Sequence, residues 1–292
     1  MVSTHARLRP ARRESALGRH LRAALSRPGN ALEMWGDQLV FYIKAIVWIP
    51  RTLKRYLREV ARLLAETTFG SGALAVIGGT IGVITFMCFF VGTQVGLQGY
   101  QALNQIGTSA FTGFISAYLN TREIAPLVAG LALSATVGCG FTAQLGAMRI
   151  SEEIDALEVM AIPSIPFLVT TRIIAGFVAV IPLYVIGLLS SYFATRFVTT
   201  VYFGQSAGTY DHYFNLFLPP TDVLWSFFKV LVFSVVLVLS HCYYGYRASG
   251  GPAGVGVAVG KAVRTAIVAV TLTDFFLSLA IWGTTTTVRI AG

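Results

Sequence analysis

The residues whose types and spacing could do chemistry are concentrated between positions 149 and 160. Five of the chain's 22 basic and 13 acidic residues fall within ten positions there: Arg149, Glu152, Glu153, Asp155 and Glu158. Ser151 precedes most of the acids and is predicted to cap a helix, whose first turn favours negative side chains. The apolar residues share one face of that helix: Ile150, Ile154, Leu157 and Met160. The segment predicts a short amphipathic helix that ends before Pro163, either a surface connector or a docking element for a partner's cleft.

The sequence contains no comparable cluster that would support catalysis, metal binding or nucleotide binding. The cysteines and histidines are scattered without ligand spacing: Cys88, Cys139, Cys242, His5, His20, His212 and His241. Asp211 and His212 are neighbours, but adjacency in sequence does not establish a catalytic geometry. Residues 254–262 suggest a phosphate-binding loop, yet Val255 and Ala262 occupy positions that require Gly and Ser or Thr. The chain is therefore not predicted to be an enzyme, and no metal or cofactor is expected to bind to it.

The composition requires lipid as the outer solvent. Hydrophobic residues make up 55% of the chain and charged residues only 12%, roughly half the share of a soluble domain. Residues 1–66 carry +8 of the net charge of +9, and the remaining 226 residues are almost neutral. A basic segment that flanks apolar spans favours an anionic lipid surface over nucleic acid, which would require a basic face on a folded domain.

Runs without charge predict five membrane-spanning helices. They lie near residues 72–97, 124–148, 173–195, 223–246 and 265–288. The first uncharged run, 67–121, is long enough to hold a second membrane-embedded piece besides the first span. With the amino terminus inside, the inner side receives most of the loop cations: Arg149, Arg247, Lys261 and Arg264. The positive-inside rule therefore favours a cytoplasmic amino terminus and a carboxyl terminus outside.

The segment before the first span divides into two parts. Residues 1–31 are predicted to be a flexible basic arm in the cytoplasm. Residues 32–66 are predicted to be an interfacial amphipathic helix, which stops at Pro50, followed by a basic linker. The apolar positions of that helix recur at helical spacing: Trp35, Leu39, Tyr42, Ile43 and Ile46. Residues 67–292 form the membrane domain, so the fold class is an all-α integral membrane protein.

Arg122, Glu123 and Asp274 are charged residues that lie close to or within the predicted spans. Arg122 and Glu123 stand 27 and 26 residues before Arg149, which is roughly 39 Å on a continuous helix. That distance predicts a position at the outer headgroup level, as an interfacial anchor or as a contact for an anionic lipid headgroup. Asp274 is deeper, and an intramembrane acid needs a partner, for which Lys229, Arg172 or a backbone amide is available.

The stretch from Arg122 to Arg172 resembles the permease family called MlaE or YrbE. The matching features are an Arg-Glu-x-x-Pro beginning, a small-residue helix that reaches Gly-Ala-Met-Arg, and the loop SEEIDALEVM at 151–160. Gly96–Tyr100 (GLQGY) is similar to the first helix of that family. Tyr243–Gly256 (YYGYRASGGPAGVG) is similar to its actinobacterial branch. The resemblance covers about residues 32–288.

The resemblance implies an ABC permease half whose ATP and magnesium are used by a separate nucleotide-binding subunit. Its further partners would be a second permease, periplasmic MCE-domain proteins and a lipid substrate. The lipid entrance between the two permeases would lie near Tyr100, Arg122 and Glu123. The ATPase would dock on a cytoplasmic coupling helix between the second and third spans, formed by Glu152, Glu153, Ile154, Asp155, Ala156 and Leu157.

Two positions depart from the family pattern. Thr136 and Gln144 stand where typical members carry Arg and Glu within the second helix. In a homodimer both subunits would lack these two charges, which favours a non-identical permease as the partner. The stretch TYDHYF at 209–214 favours the B-type subunit of the actinobacterial pair.

The sequence thus predicts a permease subunit that moves hydrophobic lipids across the inner membrane, with fatty-acid-like lipids and import favoured by the resemblance. Mycolates, sterols and phospholipids also suit an apolar path, and no residue pattern encodes the direction. Two other functions remain open: a non-transporting scaffold that anchors periplasmic tunnel proteins, and a gradient-driven secondary transporter.

Overall fold

The computed structural model describes residues 36–69 and 79–283, which contain helices and no strands. In chain order the described helices are α1 (36–47), α2 (Ile49–Arg55), α3 (Leu57–Phe69), α4 (Thr80–Gln105), α5 (Ser109–Ile150), α6 (Glu153–Val159), α7 (Ile165–Tyr202), α8 (Ala207–Leu216), α9 (Pro220–Tyr246) and α10 (Gly251–Trp282). Five of them, α4, α5, α7, α9 and α10, are long and apolar enough to cross a membrane. The prediction of an all-α membrane protein with five spans and a short helix between the second and third is confirmed.

The chain divides into two compact units, residues 1–44 and 45–292. Of the first unit only residues 36–44 are described, and they belong to α1. The predicted basic arm, 1–31, lies outside the described residues. Pro50, which was predicted to end the interfacial helix, lies instead in the first turn of α2. Proline is tolerated there because its missing N–H would have no partner within the helix.

The predicted ends of the spans were less accurate than their number. α4 begins at Thr80, whereas most of the predicted start, 72–78, lies outside the described residues. α5 begins 15 residues before the predicted position 124, because Arg122 and Glu123 lie inside the helix rather than in front of it. α7 extends beyond the predicted 173–195 at both ends. α10 covers 251–282 instead of 265–288, with Lys261 on an exposed face of its early turns.

α5 is not a uniform helix. Ser116–Ile124 and Ser134–Gly138 form π-helical turns, which add residues to a turn and often occur at functional sites. The first of these turns carries Arg122 and Glu123. The second lies against His241 of α9, whose Nε2 is 2.9 Å from Ser134 Oγ. A β-carbon at Gly138 would lie 2.5 Å from that imidazole, so the α5–α9 contact depends on a glycine at this position.

α4 and α7 approach each other through small residues, as membrane helices commonly do. A β-carbon at Gly92 would lie 2.5 Å from the backbone oxygen of Ser191, and one at Gly96 would lie 3.2 Å from that of Thr195. The Thr195 hydroxyl donates a hydrogen bond of 2.8 Å to the Gly92 carbonyl oxygen. The two backbones are therefore in direct contact at this crossing.

Substitution of Gly92 by Ala is expected to destabilise the protein by about 1–3 kcal/mol, because the two helices must separate to accommodate the methyl group. The matched control is Gly256→Ala in α10, where nothing lies within 4 Å of the added carbon. Since Ala favours a helix over Gly by about 1 kcal/mol, the control should be neutral or stabilising. Thermal unfolding of the detergent-purified chain measures both effects, and equal midpoints for the two variants would contradict this packing.

α2 and α3 lie against the beginning of α7. Val60 and Leu63 of α3 pack in one buried cluster with Ile174 and Ala175 of α7. The ring of Tyr56, between α2 and α3, meets the ring of Phe167 edge-on, at 5.3 Å between centroids. These contacts fix α2 at the end of the bundle where α5 ends and α7 begins.

Candidate functional site

The helix α6 begins one residue later than its sequence predicts. Ser151 is not its cap: the residue ends α5, and its hydroxyl donates to the Ala147 carbonyl oxygen at 3.0 Å. Glu152 holds the cap position of α6 in the left-handed conformation, with φ of 62°. Glu153 and Asp155 then occupy the first turn, where the helix dipole favours acids. The change of direction at Glu152 is what separates α6 from the preceding span.

α6 is fixed to the ends of three spans. Ile154, a residue of α6, is completely buried. The Glu158 carboxylate accepts hydrogen bonds from the Ser164 hydroxyl at 2.6 Å and from the Tyr246 hydroxyl at 3.3 Å. Arg149, near the end of α5, forms a 2.6 Å ion pair with Asp155. α6 is therefore in direct contact with residues at the ends of α5, α7 and α9.

The outer side of α6 combines acids with exposed apolar residues. Val159 is 89% exposed and Met160 is 62% exposed, although both are large hydrophobic residues. The predicted apolar face is thus only partly buried: Ile154 is covered, Leu157 is half-buried, and Ile150 and Met160 lie at the surface. Four acids surround this apolar surface, all exposed: Glu152, Glu153, Asp155 and Glu158. Such a surface, apolar at its centre with a charged rim, is typical of a protein-binding site.

A second polar site joins α5, α9 and α10 near the opposite ends of these helices. Lys229 of α9 is completely buried. Its ammonium group lies 2.7 Å from Asp274 Oδ1 and 3.4 Å from Glu123 Oε2. It also donates to Ser278 Oγ at 2.8 Å and to the Arg122 carbonyl oxygen at 2.7 Å. Of the partners that the sequence left open for Asp274, the structure selects Lys229.

Arg122 forms the other half of this network. Its Nε and Nη2 donate to Asp222 Oδ2 at 2.7 and 2.6 Å. Trp282 Nε1 donates to the other oxygen of the same carboxylate at 3.1 Å. The guanidinium also lies 4.1 Å from the centre of the Tyr118 ring, within cation–π distance. Because Asp222 lies in the first turn of α9 and Trp282 ends α10, Arg122 lies toward the end of the bundle opposite α6.

The Arg122 side of the network faces a cavity of about 350 Å³. Its lining is mainly aromatic and apolar with one ion pair: Phe114, Tyr118, Arg122, Phe217, Pro219, Thr221, Asp222, Trp225, Ile281 and Trp282. Aromatic side chains and the Arg122–Asp222 ion pair thus face the same space. The Glu123 side chain is 41% exposed, whereas Lys229 beside it is completely buried.

The other predicted membrane residues lie elsewhere. Tyr100 stacks on Phe203, with 4.1 Å between ring centroids, and does not line the cavity at Arg122. The Thr136 hydroxyl donates to the backbone oxygen of Ala132 within its own helix. Gln144 donates to Glu66 at 2.9 Å and accepts from Arg172 at 3.2 Å. Arg172 is therefore bound by Gln144 and not by Asp274.

Three residues that make polar contacts between the spans were not identified as site residues from the sequence: Asp222, Trp282 and His241. Asp222 lies beside the Pro219-Pro220 pair and resembles an ordinary residue at the start of a helix. His241 is buried and bonded through both ring nitrogens, to Ser134 and to Thr142 Oγ1 at 2.8 Å. Within residues 36–69 and 79–283, no group of three metal-ligating side chains is close enough to hold a metal ion.

Outside the spans, at the end of the bundle opposite α6, the carboxyl group of Asp211 is paired with Arg196. Asp211 of α8 accepts two hydrogen bonds of 2.8 Å from Arg196, which lower the pKa of its carboxyl group below the ordinary value for aspartate. Both side chains are substantially exposed, so the pair contributes little to stability.

Five helices that are long and apolar enough to cross a membrane define a multi-pass membrane protein. The chain belongs to the MlaE permease family, whose model, described as "Permease MlaE", matches residues 69–280. It is a transport subunit by family and not an enzyme.

Three curated proteins are similar to this chain, and two of them are named as permeases. A probable ABC transporter permease protein of Rickettsia bellii is 28% identical over 196 residues, covering 67% of this chain and 76% of that protein. A probable ABC transporter permease protein of Synechocystis is 27% identical over 251 residues, covering 85% and 92%. The chloroplastic protein trigalactosyldiacylglycerol 1 of Arabidopsis thaliana is 27% identical over 203 residues, covering 68% of this chain and 57% of that protein.

Proposed function

We propose that this chain is one permease subunit of an Mce-type ABC transporter that moves hydrophobic lipids across the inner membrane. The observation that carries the proposal is the surface of α6, where Val159 and Met160 are exposed among four acids. A helix with an exposed apolar centre, tied to three spans, is suited to receive force from a soluble subunit. A separate ATPase that binds there supplies the energy, since this chain carries no phosphate-binding loop in its sequence.

The path of the force can be followed through named contacts. Closure of the ATPase subunits displaces α6, and Glu158 passes the displacement to Ser164 at the start of α7 and to Tyr246 at the end of α9. Lys229 lies 17 residues before Tyr246 on the same helix, which is about 25 Å. Movement of α9 therefore changes the spacing between Lys229, Asp274 and Glu123 and alters the cavity beside Arg122.

A lipid substrate is supported by two observations. The cavity at Arg122 offers aromatic walls with an ion pair at one side, which fits an acyl chain and its polar end. The Arabidopsis relative carries the name of a galactolipid. The similarity of residues 243–256 to the actinobacterial branch favours fatty-acid-like lipids and import.

The assembly that we propose contains a second, non-identical permease and periplasmic MCE-domain proteins. Thr136 and Gln144 support the non-identical partner, because neither carries the charge that typical members have at these positions. The amino terminus lies in the cytoplasm and the carboxyl terminus in the periplasm, in agreement with the distribution of loop cations.

Co-purification of the tagged chain in mild detergent tests this assignment. We expect an ATPase, a second permease and MCE-domain proteins to be identified by mass spectrometry with the wild-type chain. A Glu153→Lys, Asp155→Lys variant should lose the ATPase alone. If no ATPase accompanies the wild-type chain, the transporter assignment fails and a membrane scaffold or gradient-driven carrier takes its place.

A further inference from the structure

The buried cluster around Lys229 contains more acid than base. The Lys229 ammonium group lies 2.7 Å from Asp274 Oδ1 and 3.4 Å from Glu123 Oε2, so one cation serves two carboxylates. Arg122 does not offset this difference, because its own charge is matched by Asp222 at 2.6 Å. With one positive and two negative charges, the ionised cluster carries a net charge of −1. An unbalanced charge is costly within a membrane-spanning bundle.

The hydrogen bonds of the cluster also lack one donor. An ammonium group has three N–H donors. Lys229 donates to the Arg122 carbonyl oxygen at 2.7 Å and to Ser278 Oγ at 2.8 Å, and its third hydrogen bond, at 3.4 Å, goes to Glu123 Oε2. Asp274 Oδ1 lies 2.7 Å from the same nitrogen, yet it is buried and accepts no aligned hydrogen bond. Because buried acceptors are almost always paired, the count of donors is one proton short, as is the count of charges.

The other charges around Glu123 do not make up the difference. The charged groups that act on Glu123 from neighbouring helices are Lys229 of α9 and Asp274 of α10. α4, which also packs against this turn of α5, carries no charged residue. Arg196 of α7 and Asp211 of α8 are paired with each other. The excess of acid is therefore a property of the three-residue cluster.

We propose that this cluster binds one exchangeable proton at the Glu123 carboxylate. The proton makes Glu123 neutral, so Lys229 and Asp274 remain as one balanced ion pair. The third N–H of Lys229 is then free to turn to Asp274 Oδ1. Glu123 is the more accessible of the two acids, with 41% of its side chain exposed against 12% for Asp274.

A proton is favoured over a metal ion at this site. The Lys229 ammonium group already lies against both carboxylates and repels a second cation. In addition, the part of the chain that the structure describes contains no group of three metal-ligating side chains close enough to hold a metal ion. Because Lys229 lies on α9 and Asp274 on α10, a change in the spacing of these helices changes how tightly the proton is held. The site thus links proton binding to helix movement, whichever substrate the chain carries.

Infrared difference spectroscopy of the purified full-length chain tests the proposal. A protonated carboxyl group has a C=O stretching band that a carboxylate lacks. When the pH is lowered from about 8 to about 6, ordinary carboxyl groups, whose pKa values are about 4, stay almost fully ionised. We therefore expect the wild-type chain to gain a protonated-carboxyl band over this range.

Two substitutions identify the group and the cause. Glu123→Gln should lose the band, because the group that takes up the proton is gone. Asp274→Asn should lose it as well, since Lys229 and Glu123 then form a balanced ion pair that needs no proton. Each variant keeps one ion pair with Lys229, so both are expected to fold. The matched control, Glu153→Gln, removes an exposed acid of α6 and should retain the band.

The absence of the band in the wild type, or its persistence in Glu123→Gln, would overturn the proposal. A band that folded Asp274→Asn retains would also overturn it, because Glu123 would then take up the proton without an excess of acid. If the wild-type band disappears when sodium chloride replaces N-methylglucamine chloride, the excess charge is balanced by a metal ion and the proton assignment fails. If Asp274→Asn does not fold, the wild type and Glu123→Gln decide the outcome.

Discussion

Replacement of Lys229 by Met is expected to destabilise the protein by about 3–5 kcal/mol, because it leaves Asp274 as a buried acid without its partner. Lys229 is fully buried and contacts groups on α5 and α10, so its loss affects three spans at once. A thiol-reactive dye measures the effect during heating, since Cys88 and Cys242 are buried and become accessible when the bundle opens.

Two further variants distinguish the effect of losing the ion pair from the effect of losing one long side chain. Lys261→Met removes an exposed lysine of α10 and should leave the unfolding temperature almost unchanged. Lys229→Met combined with Asp274→Leu removes both charges, and replacing a buried pair with apolar residues is often close to neutral. The double variant should therefore recover much of the lost stability. A double variant that is less stable than Lys229→Met alone would contradict the pairing.

Under the proposed docking of an ATPase on α6, reversal of one charge there, Glu153→Lys, is expected to weaken ATPase binding roughly tenfold or more, because a partner surface complementary to the acids would then meet a like charge. Lipid-stimulated ATP hydrolysis by the reconstituted complex should fall with it. The substitution leaves Ile154 and the Glu158 contacts in place, so the helix itself should persist.

The matched control for this reversal is Asp211→Lys, an exposed acid in α8 on a different part of the chain. It should leave the ATPase affinity and the rate of hydrolysis unchanged. Val159→Asp, which alters the apolar centre of the same surface, should act in the same direction as Glu153→Lys. Unchanged hydrolysis in both α6 variants would show that the ATPase binds elsewhere.

The sequence predicted the features that depend on composition. The five spans follow from uncharged runs, and α6 follows from a group of charges in an otherwise apolar chain. Asp274 was expected to need a partner because an isolated acid is costly in a membrane, and Lys229 was among the available cations. These predictions needed only the period of a helix and the preference of charges for water.

The features that the sequence did not predict depend on contacts between distant segments. Arg122 lies within α5 because Asp222, 100 residues later, neutralises it. The charge of Arg122 therefore did not mark the beginning of that span, although the sequence had predicted that it would. Ser151 does not cap α6, because Glu152 takes the cap position in the left-handed conformation. Local patterns carry no information about such long-range pairs.

The position of Lys229 also has a consequence for synthesis at the ribosome. Its closest acid, Asp274, follows 45 residues later in the chain, so α9 leaves the ribosome before its counter-charge exists. At ordinary translation speeds of about 5–20 residues per second, the delay is roughly 2–9 seconds. During that interval Glu123 is the only one of the two acids that contact Lys229 in the finished protein that has already been synthesised. The weaker 3.4 Å contact in the finished protein thus corresponds to the pairing that is available first while the bundle is still being assembled.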